Sequence, residues 1–294
     1  MGRGGLPPEL RDAGPRSSRG QAQLAADFMR DLALRGDERV LDIGCGDGKI
    51  TAQIARRLPA GSILGVDISR EMIAYANGNA HDHLHPRTAF ARAGRAGIGT
   101  SRRESARPAP TGATLAFRVM DAARLTFRDE FDLIVSFAAL HWISDHRPVL
   151  TGIARSLKPA GRVLMQFGGK GNIAPLVAIA DALTAQEPWH PYFQGFQFPW
   201  GFYGSDEYRG WLAQAGLTVN RVELVEKETT QQGRAGFEGW IRTAWPAHIQ
   251  RVPAHLRSQF IADVAERYLA DCPPDAQGIV RVPMMRLEVD ARKA

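Results

Sequence analysis

From Gln21 onward the chain alternates between two kinds of hydrophobic spacing. Leu24, Ala25, Phe28 and Leu32 recur at helical intervals and predict a helix. RVLDIG (39–44) is a short unbroken apolar run, which suits a strand buried on both faces. Lys49–Leu58 returns to helical spacing, with Ile50, Ile54 and Leu58 on one side. SILGVD (62–67) predicts the next strand, and Ser69 stands where it can cap a helix over REMIAYAN. LAFRVMD (115–121) and FDLIVSF (131–137) read as strands, and Val149, Leu150, Ile153 and Leu157 predict a helix. A Lys158-Pro159-Ala160-Gly161 turn then leads into the strand RVLMQF (162–167). Strands alternating with helices predict the α/β class, with a doubly wound, mostly parallel sheet covered on both faces.

Two segments break this rhythm. Residues 1–20, rich in Gly, Pro, Arg and Ser, read as a disordered lead-in. Residues 81–114 lack periodicity and read as a basic, low-complexity insert. After Phe167 aromatic residues crowd 187–211, including Trp189, Trp200, Phe202 and Trp211. SDEYRGWLAQAGL (205–217) predicts a helix with Ser205 as N-cap and Gly216 as stop. LTVNRVELVEK and VPMMRLEVDA predict strands, with helices near 235–247 and 254–270 between them. About 170–205 and 235–280 are expected to form a cap over the sheet's carboxyl edge, within one domain spanning 21–294.

Charge changes this picture little. The net charge is +6, but residues 1–20 carry +2 of it and residues 81–116 the other +4. The remaining chain is formally neutral, so a nucleic-acid partner is not expected. No apolar run reaches the ~20 residues that span a bilayer, and the first residues lack the apolar core of a secretory signal. Cys45 and Cys272 are the two cysteines, and Cys45 sits in a glycine-rich loop, so a reduced, cytoplasmic protein is expected. His81, His83 and His85 alternate without a supporting Cys or carboxylate cluster, so no metal site is expected.

The informative chemistry begins at VLDIGCGDGKI. Gly44, Gly46 and Gly48 let a ligand approach the backbone where a strand passes into a helix. The dinucleotide spacing G-x-G-x-x-G fails at Lys49, and no Walker G-K-[ST] is present. Asp67 ends the second strand, where a carboxylate can accept both hydroxyls of a ribose. Asp121 ends the third, and with the backbone N–H of Ala122 it can read the amino edge of an adenine.

VLDIGCGDG, GVDIS, VMDAARL, FDLIVSFAALHW and LKPAGRVLMQF occur in that order across residues 21–167. Together they resemble the class I S-adenosylmethionine-dependent methyltransferases. The resemblance implies a Rossmann-like sheet of seven strands and S-adenosylmethionine as cofactor. It places Asp42, Gly44 and Gly46 against the methionine portion, Asp67 against the ribose, and Asp121 with Ala122 against the adenine. Cys45, Ile68 and Ser136 complete the implied cofactor site.

The acceptor is the open question. Where enzymes that methylate amino groups on bases carry Asn/Asp-Pro-Pro-aromatic, this chain has SFAALHW (136–142). That stretch is similar to the small-acid methyltransferases, the juvenile hormone acid group and more loosely the trans-aconitate enzymes. The resemblance implies that Trp142 and Gln21 hold a carboxylate and that the acceptor is a small, acidic molecule, methylated to an ester. A carboxylate is ionised at neutral pH and needs no base, so neutral N–H donors suit it. Two alternatives stay open: His141 as general base toward a phenol or alcohol, or a protein that binds the cofactor without turnover.

Overall fold

The computed structural model describes residues 18–84 and 114–294; the side chains of residues 18–24 and 81–83 lie outside that description. The described chain builds one seven-stranded sheet in the order β3-β2-β1-β4-β5-β7-β6. The strands are β1 (Arg39–Ile43), β2 (Ser62–Asp67), β3 (Thr114–Val119), β4 (Phe131–Phe137), β5 (Leu157–Gly168), β6 (Leu217–Gln232) and β7 (Ile279–Lys293). Pairings β3-β2-β1-β4-β5 are parallel, and β7 runs antiparallel to both its neighbours. The order reverses between β1 and β4, the switch point where open α/β sheets bind ligands at the strands' carboxyl ends.

Both faces are covered, as the unbroken apolar strands require. Phe28 and Met29 of α1 (Ser18–Asp31), Leu32 just beyond it and Ile54 of α2 (Lys49–Ala55) pack against Val40, Leu133, Val135 and Leu164. On the opposite face Val149, Leu150 and Ile153 pack against Leu41, Ile43, Ile134 and Met165. The central strands β1, β4 and β5 thus send side chains into two cores. A separate core unites Leu176, Trp189, Trp200, Trp240, Trp245, Phe260 and Val282 into a cap on the long β6–β7 hairpin.

Several elements differ from the sequence expectation. The helix before β1 begins at Ser18, inside the lead-in expected over 1–20. The helix after β2, α3 (Arg70–Leu84), runs into the insert expected from 81. Residues 1–17 and 85–113, His85 included, lie outside the described residues, and Thr114 already opens β3. Lys158–Gly161 is a bulge inside β5, where pairing slips between Phe131 and Leu133 and Ala160 adopts φ 61. The N-cap before Tyr208 is Gly204, whose N–H donates to Glu207 Oε2 at 3.0 Å, and Ser205 is the first helical residue. The helix expected near 235–247 is two, Gly233–Ala244 and Pro246–Arg251, because Pro246 has no N–H to continue the first. β6 runs on to Gln232 because Gln232 still pairs with Ile279.

Candidate cofactor and acceptor site

The glycine loop turns at the carboxyl end of β1. Gly44, Gly46 and Gly48 have φ of 75, 54 and 82, the left-handed region open to glycine. A Cβ on Gly44 would lie 2.2 Å from Ala139 Cβ, so this glycine lets the loop pass beneath the turn after β4. A Cβ on Gly46 would meet nothing within 4 Å, which leaves open space above the loop. Gly44 and Cys45 donate their N–H groups to Val66 O at 2.8 and 3.1 Å, fastening the loop to β2.

Asp67 organises the next shell of contacts. Its Oδ2 accepts from Gly46 N at 3.0 Å and its Oδ1 from Ser69 N at 2.9 Å. One carboxylate thus ties the loop to the start of α3, which Ser69 Oγ caps by accepting from Met72 N at 3.2 Å. A carboxylate has about four acceptor sites, so Asp67 retains capacity for two hydroxyls. Ile68 beside it is 71% exposed, an apolar side chain standing out at the strand end. Asp121 lies two residues past the end of β3, after Met120, and its Oδ1 accepts from Ala123 N at 2.9 Å. It caps the short turn Ala122–Arg124 and leaves its second oxygen toward Arg124, 3.7 Å away.

Three implied site residues sit deeper. Asp42 is buried and accepts a 2.6 Å hydrogen bond from Thr51 Oγ1. Burial pushes its carboxyl up to about 6, Asp67 adds to the shift, and the Thr51 hydroxyl opposes it. Such a carboxyl suits a cation brought to it. Cys45 packs with Ile73, Ala76 and Phe117, and burial raises its thiol far above the ordinary range, so its backbone is the part that faces the loop. Ser136 is fully buried and donates to Ile43 O at 2.8 Å, which holds β1 and β4 together directly beneath the glycine turn.

Across the crevice β4 ends in the turn Leu140–Trp142. Trp142 is 45% exposed, so it is not a core residue; its ring meets Trp200 of the cap edge-on at 5.7 Å. His141 is largely enclosed. Its Nδ1 accepts from Gly168 N at 3.4 Å, and its carbonyl accepts from Gly201 N at 3.0 Å, so the cap segment around Gly201 docks on this turn. Burial pushes the His141 imidazole down to about 3, helped by Arg286 and His146. His146 is structural: fully buried, it lies 3.1 Å from the Tyr208 hydroxyl and 3.0 Å from Ile143 O.

Gln21 lies in α1, three residues after its start. The helix is anchored further on: Asp31 pairs with Arg221 at 3.3 Å, and Asp27 lies 3.9 Å from Lys227. Arg221 is level with Asp290 of β7 and Lys227 with Met284, so α1 runs backward toward the carboxyl edge. Gln21 is six residues before Asp27, about 9 Å further along the same axis. The helix therefore carries the Gln21 backbone to the edge where Trp142 stands.

The family profile described as a methyltransferase domain matches residues 41–165, from the glycine loop through β5. A trans-aconitate 2-methyltransferase of Methylobacterium nodulans is 27% identical over 288 residues, covering 92% of each chain. The chain is a class I methyltransferase dependent on S-adenosylmethionine. The juvenile hormone acid O-methyltransferase of Drosophila melanogaster is also similar to this methyltransferase, 23% identical over 78% of this chain and 70% of its own. A Bacillus halodurans structure described as a candidate methyltransferase shares the methyltransferase's fold, with TM-score 0.58 at 15% identity over 92% and 98% of the two chains. No helix among the described residues is long and apolar enough to cross a membrane. Sequence reasoning missed Thr51 and Arg286 of this methyltransferase and did not single out Trp200 from the aromatic cluster. Arg286 left a signal, as a charge inside the apolar run VPMMRLEV.

Proposed function

We propose that the enzyme methylates the carboxylate of a small acid, producing a methyl ester. The observation that carries this reading is the pairing at the end of β4. An exposed Trp142 indole finds no acceptor among the described residues, beside a histidine held neutral down to about 3. A group so weakly basic is a poor acceptor for the proton of a phenol, whose pKa is near 10. A carboxylate has no proton to lose. The names of the trans-aconitate and juvenile hormone acid relatives fit the same acceptor class.

S-adenosylmethionine supplies an electrophilic methyl on a sulfonium. When bound, it would supply that methyl to one carboxylate oxygen of the acceptor, the S–CH3 bond breaking with its electron pair left on sulfur. The residues of this chain orient and shield. Asp67 holds the ribose, Asp121 and the Ala122 N–H hold the adenine, and Ile68 covers an apolar face. Asp42 faces the ammonium. The Trp142 indole N–H and the Gln21 amide hold the oxygen that does not attack. Uncharged donors fix the carboxylate without neutralising its nucleophilic partner oxygen. The aromatic wall of Trp200 and Phe202 excludes water.

A labelled-methyl transfer screen over acids and phenols tests the proposal. Acid acceptors should give a base-labile product; base-stable label on phenols alone would overturn the reading.

Asp42 supplies a pH dependence. Its carboxyl is near 6 in the folded protein and 3.8 ordinarily, so the folded state binds this proton more tightly. Its contribution to stability therefore falls as pH rises from about 4 to 6, by about 3 kcal/mol, and levels off above. A bound ammonium favours the ionised form. Affinity for S-adenosylmethionine should thus fall below about pH 6, up to about tenfold per pH unit. Calorimetry from pH 5 to 7.5 reads this directly, and Asp42→Asn should remove the slope. A flat wild-type profile would separate Asp42 from the ammonium.

A further inference from the structure

Among the described residues, five buried polar side-chain atoms lack a hydrogen-bond partner: Gln166 Oε1, Trp200 Nε1, Trp245 Nε1, His248 Nδ1 and Arg286 Nε. Arg286 stands apart because it carries a charge. It is 4% exposed, and among the described residues no carboxylate comes within salt-bridge distance. Glu288, two residues along the same strand face, is already engaged. It accepts from Gln166 Nε2 at 2.7 Å, and lies 3.1 Å from Arg221 and 3.7 Å from Lys227. Arg286 Nε is buried without a hydrogen-bond partner, and a guanidinium so withdrawn from water carries a desolvation penalty. Burial pulls Arg286 down to about 10 and the charge of Glu288 opposes the shift, so it remains charged at neutral pH.

Its position is as telling as its lack of partner. Arg286 is level with Gly168, the last residue of β5, whose N–H donates to His141 Nδ1. A Cβ on Gly168 would run into Phe202 of the cap at 2.8 Å. Arg286 is also close enough to depress His141, the neighbour of Trp142. Next to Arg286 on β7, Met284 and Met285 line a cavity of about 620 Å³ with Lys227, Glu226 and Glu228; Arg286 lies beside this cavity and is not part of its lining. Sheet edge, cap and the β4 turn thus meet around a cation that makes no salt bridge among the described residues.

We infer that Arg286 is a specificity-determining residue whose guanidinium grips a second carboxylate of the acceptor, apart from the one that is methylated. This rests on the carboxyl-methylation reading above. The planar fork of a guanidinium matches a carboxylate with two parallel hydrogen bonds. Placed on the reacting carboxylate, it would withdraw charge from the attacking oxygen. Placed on a second one, it orients the acceptor and leaves the first to neutral donors. A monocarboxylic acid would leave Arg286 buried and unmatched, which disfavours it beyond the loss of one contact.

The test pairs acids of equal carbon count: fumarate with crotonate, succinate with butyrate, glutarate with valerate. Wild type, Arg286→Met and Arg286→Lys are compared by methyl transfer and by calorimetric binding in the presence of S-adenosylhomocysteine. Wild type should favour at least one diacid over its monoacid partner. In Arg286→Met that preference should collapse by about 10- to 150-fold, mainly through KM, with partial recovery in Arg286→Lys. The favoured diacid should raise the melting temperature of wild type and not that of Arg286→Met. Methionine fills the volume without the charge, so Arg286→Met should fold at least as stably as wild type. Equal losses on both acids, or no diacid preference in wild type, would overturn the inference while leaving ester formation standing. Arg286-dependent diacid binding without ester formation would leave Arg286 a carboxylate-binding residue but sink the carboxyl-methylation reading, and with it the inference.

Discussion

Asp67→Ala should weaken S-adenosylhomocysteine binding by roughly 10²- to 10⁴-fold. The estimate takes two charge-assisted hydrogen bonds to the ribose at about 1.5–3 kcal/mol each. The geometry gives a reason to expect the upper part of that range. Asp67 also accepts from Gly46 N and Ser69 N, so its loss releases the glycine loop from the start of the following helix. Asp67→Asn should recover little, because one amide oxygen cannot replace two carboxylate oxygens holding four partners. Calorimetry on the folded variants reads the effect. Wild-type affinity in Asp67→Ala would remove this residue from the cofactor site.

Trp142→Phe should lower kcat/KM for the acid acceptor by about ten- to a hundred-and-fifty-fold, the value of one bond to a charged oxygen. The aromatic contact with Trp200 survives in this variant, so the loss isolates the indole N–H. Gln21→Ala should cost a similar factor, and the double variant should fall short of the product because both donors hold one group. Cofactor affinity should stay near wild type in all three. His141→Asn separates the rival chemistry. A general base would lose ~10²–10⁴-fold and reshape the pH profile. The Gly168 N–H already occupies Nδ1 and the ring is pushed down to about 3, so the expected change is small and the profile keeps its form. If His141→Asn abolishes turnover while Trp142→Phe and Gln21→Ala remain near wild type, a hydroxyl acceptor replaces the carboxyl one.

Local pattern was a good guide where each residue's environment is set by its neighbours in the chain. β1 and β4 were legible because strands buried on both faces cannot alternate polar and apolar residues. The glycine loop was legible because positive φ at Gly44, Gly46 and Gly48 restricts those positions. Ser69 was legible as a cap because a short hydroxyl is one of few side chains that reach the N3 amide. Boundaries were less so: the cap helix splits at Pro246, while β6 outruns its apolar pattern because its length is dictated by pairing with β7.

By itself the sequence determined the strand–helix alternation, the loop at the switch point and the acids Asp42, Asp67 and Asp121 that gather there. These are properties of short segments, and backbone sterics and hydrophobic periodicity act over a few residues. The tertiary structure alone decided what surrounds the acceptor. Phe202 and Trp200 reach the β4 turn from the cap, α1 runs back toward the carboxyl edge, and Arg286 meets His141 from an antiparallel strand 145 positions away. Burial, the loss of basicity at His141 and the isolation of the Arg286 charge all depend on which distant segments exclude water. Desolvation belongs to the packed assembly, so no spacing along the chain could have displayed it.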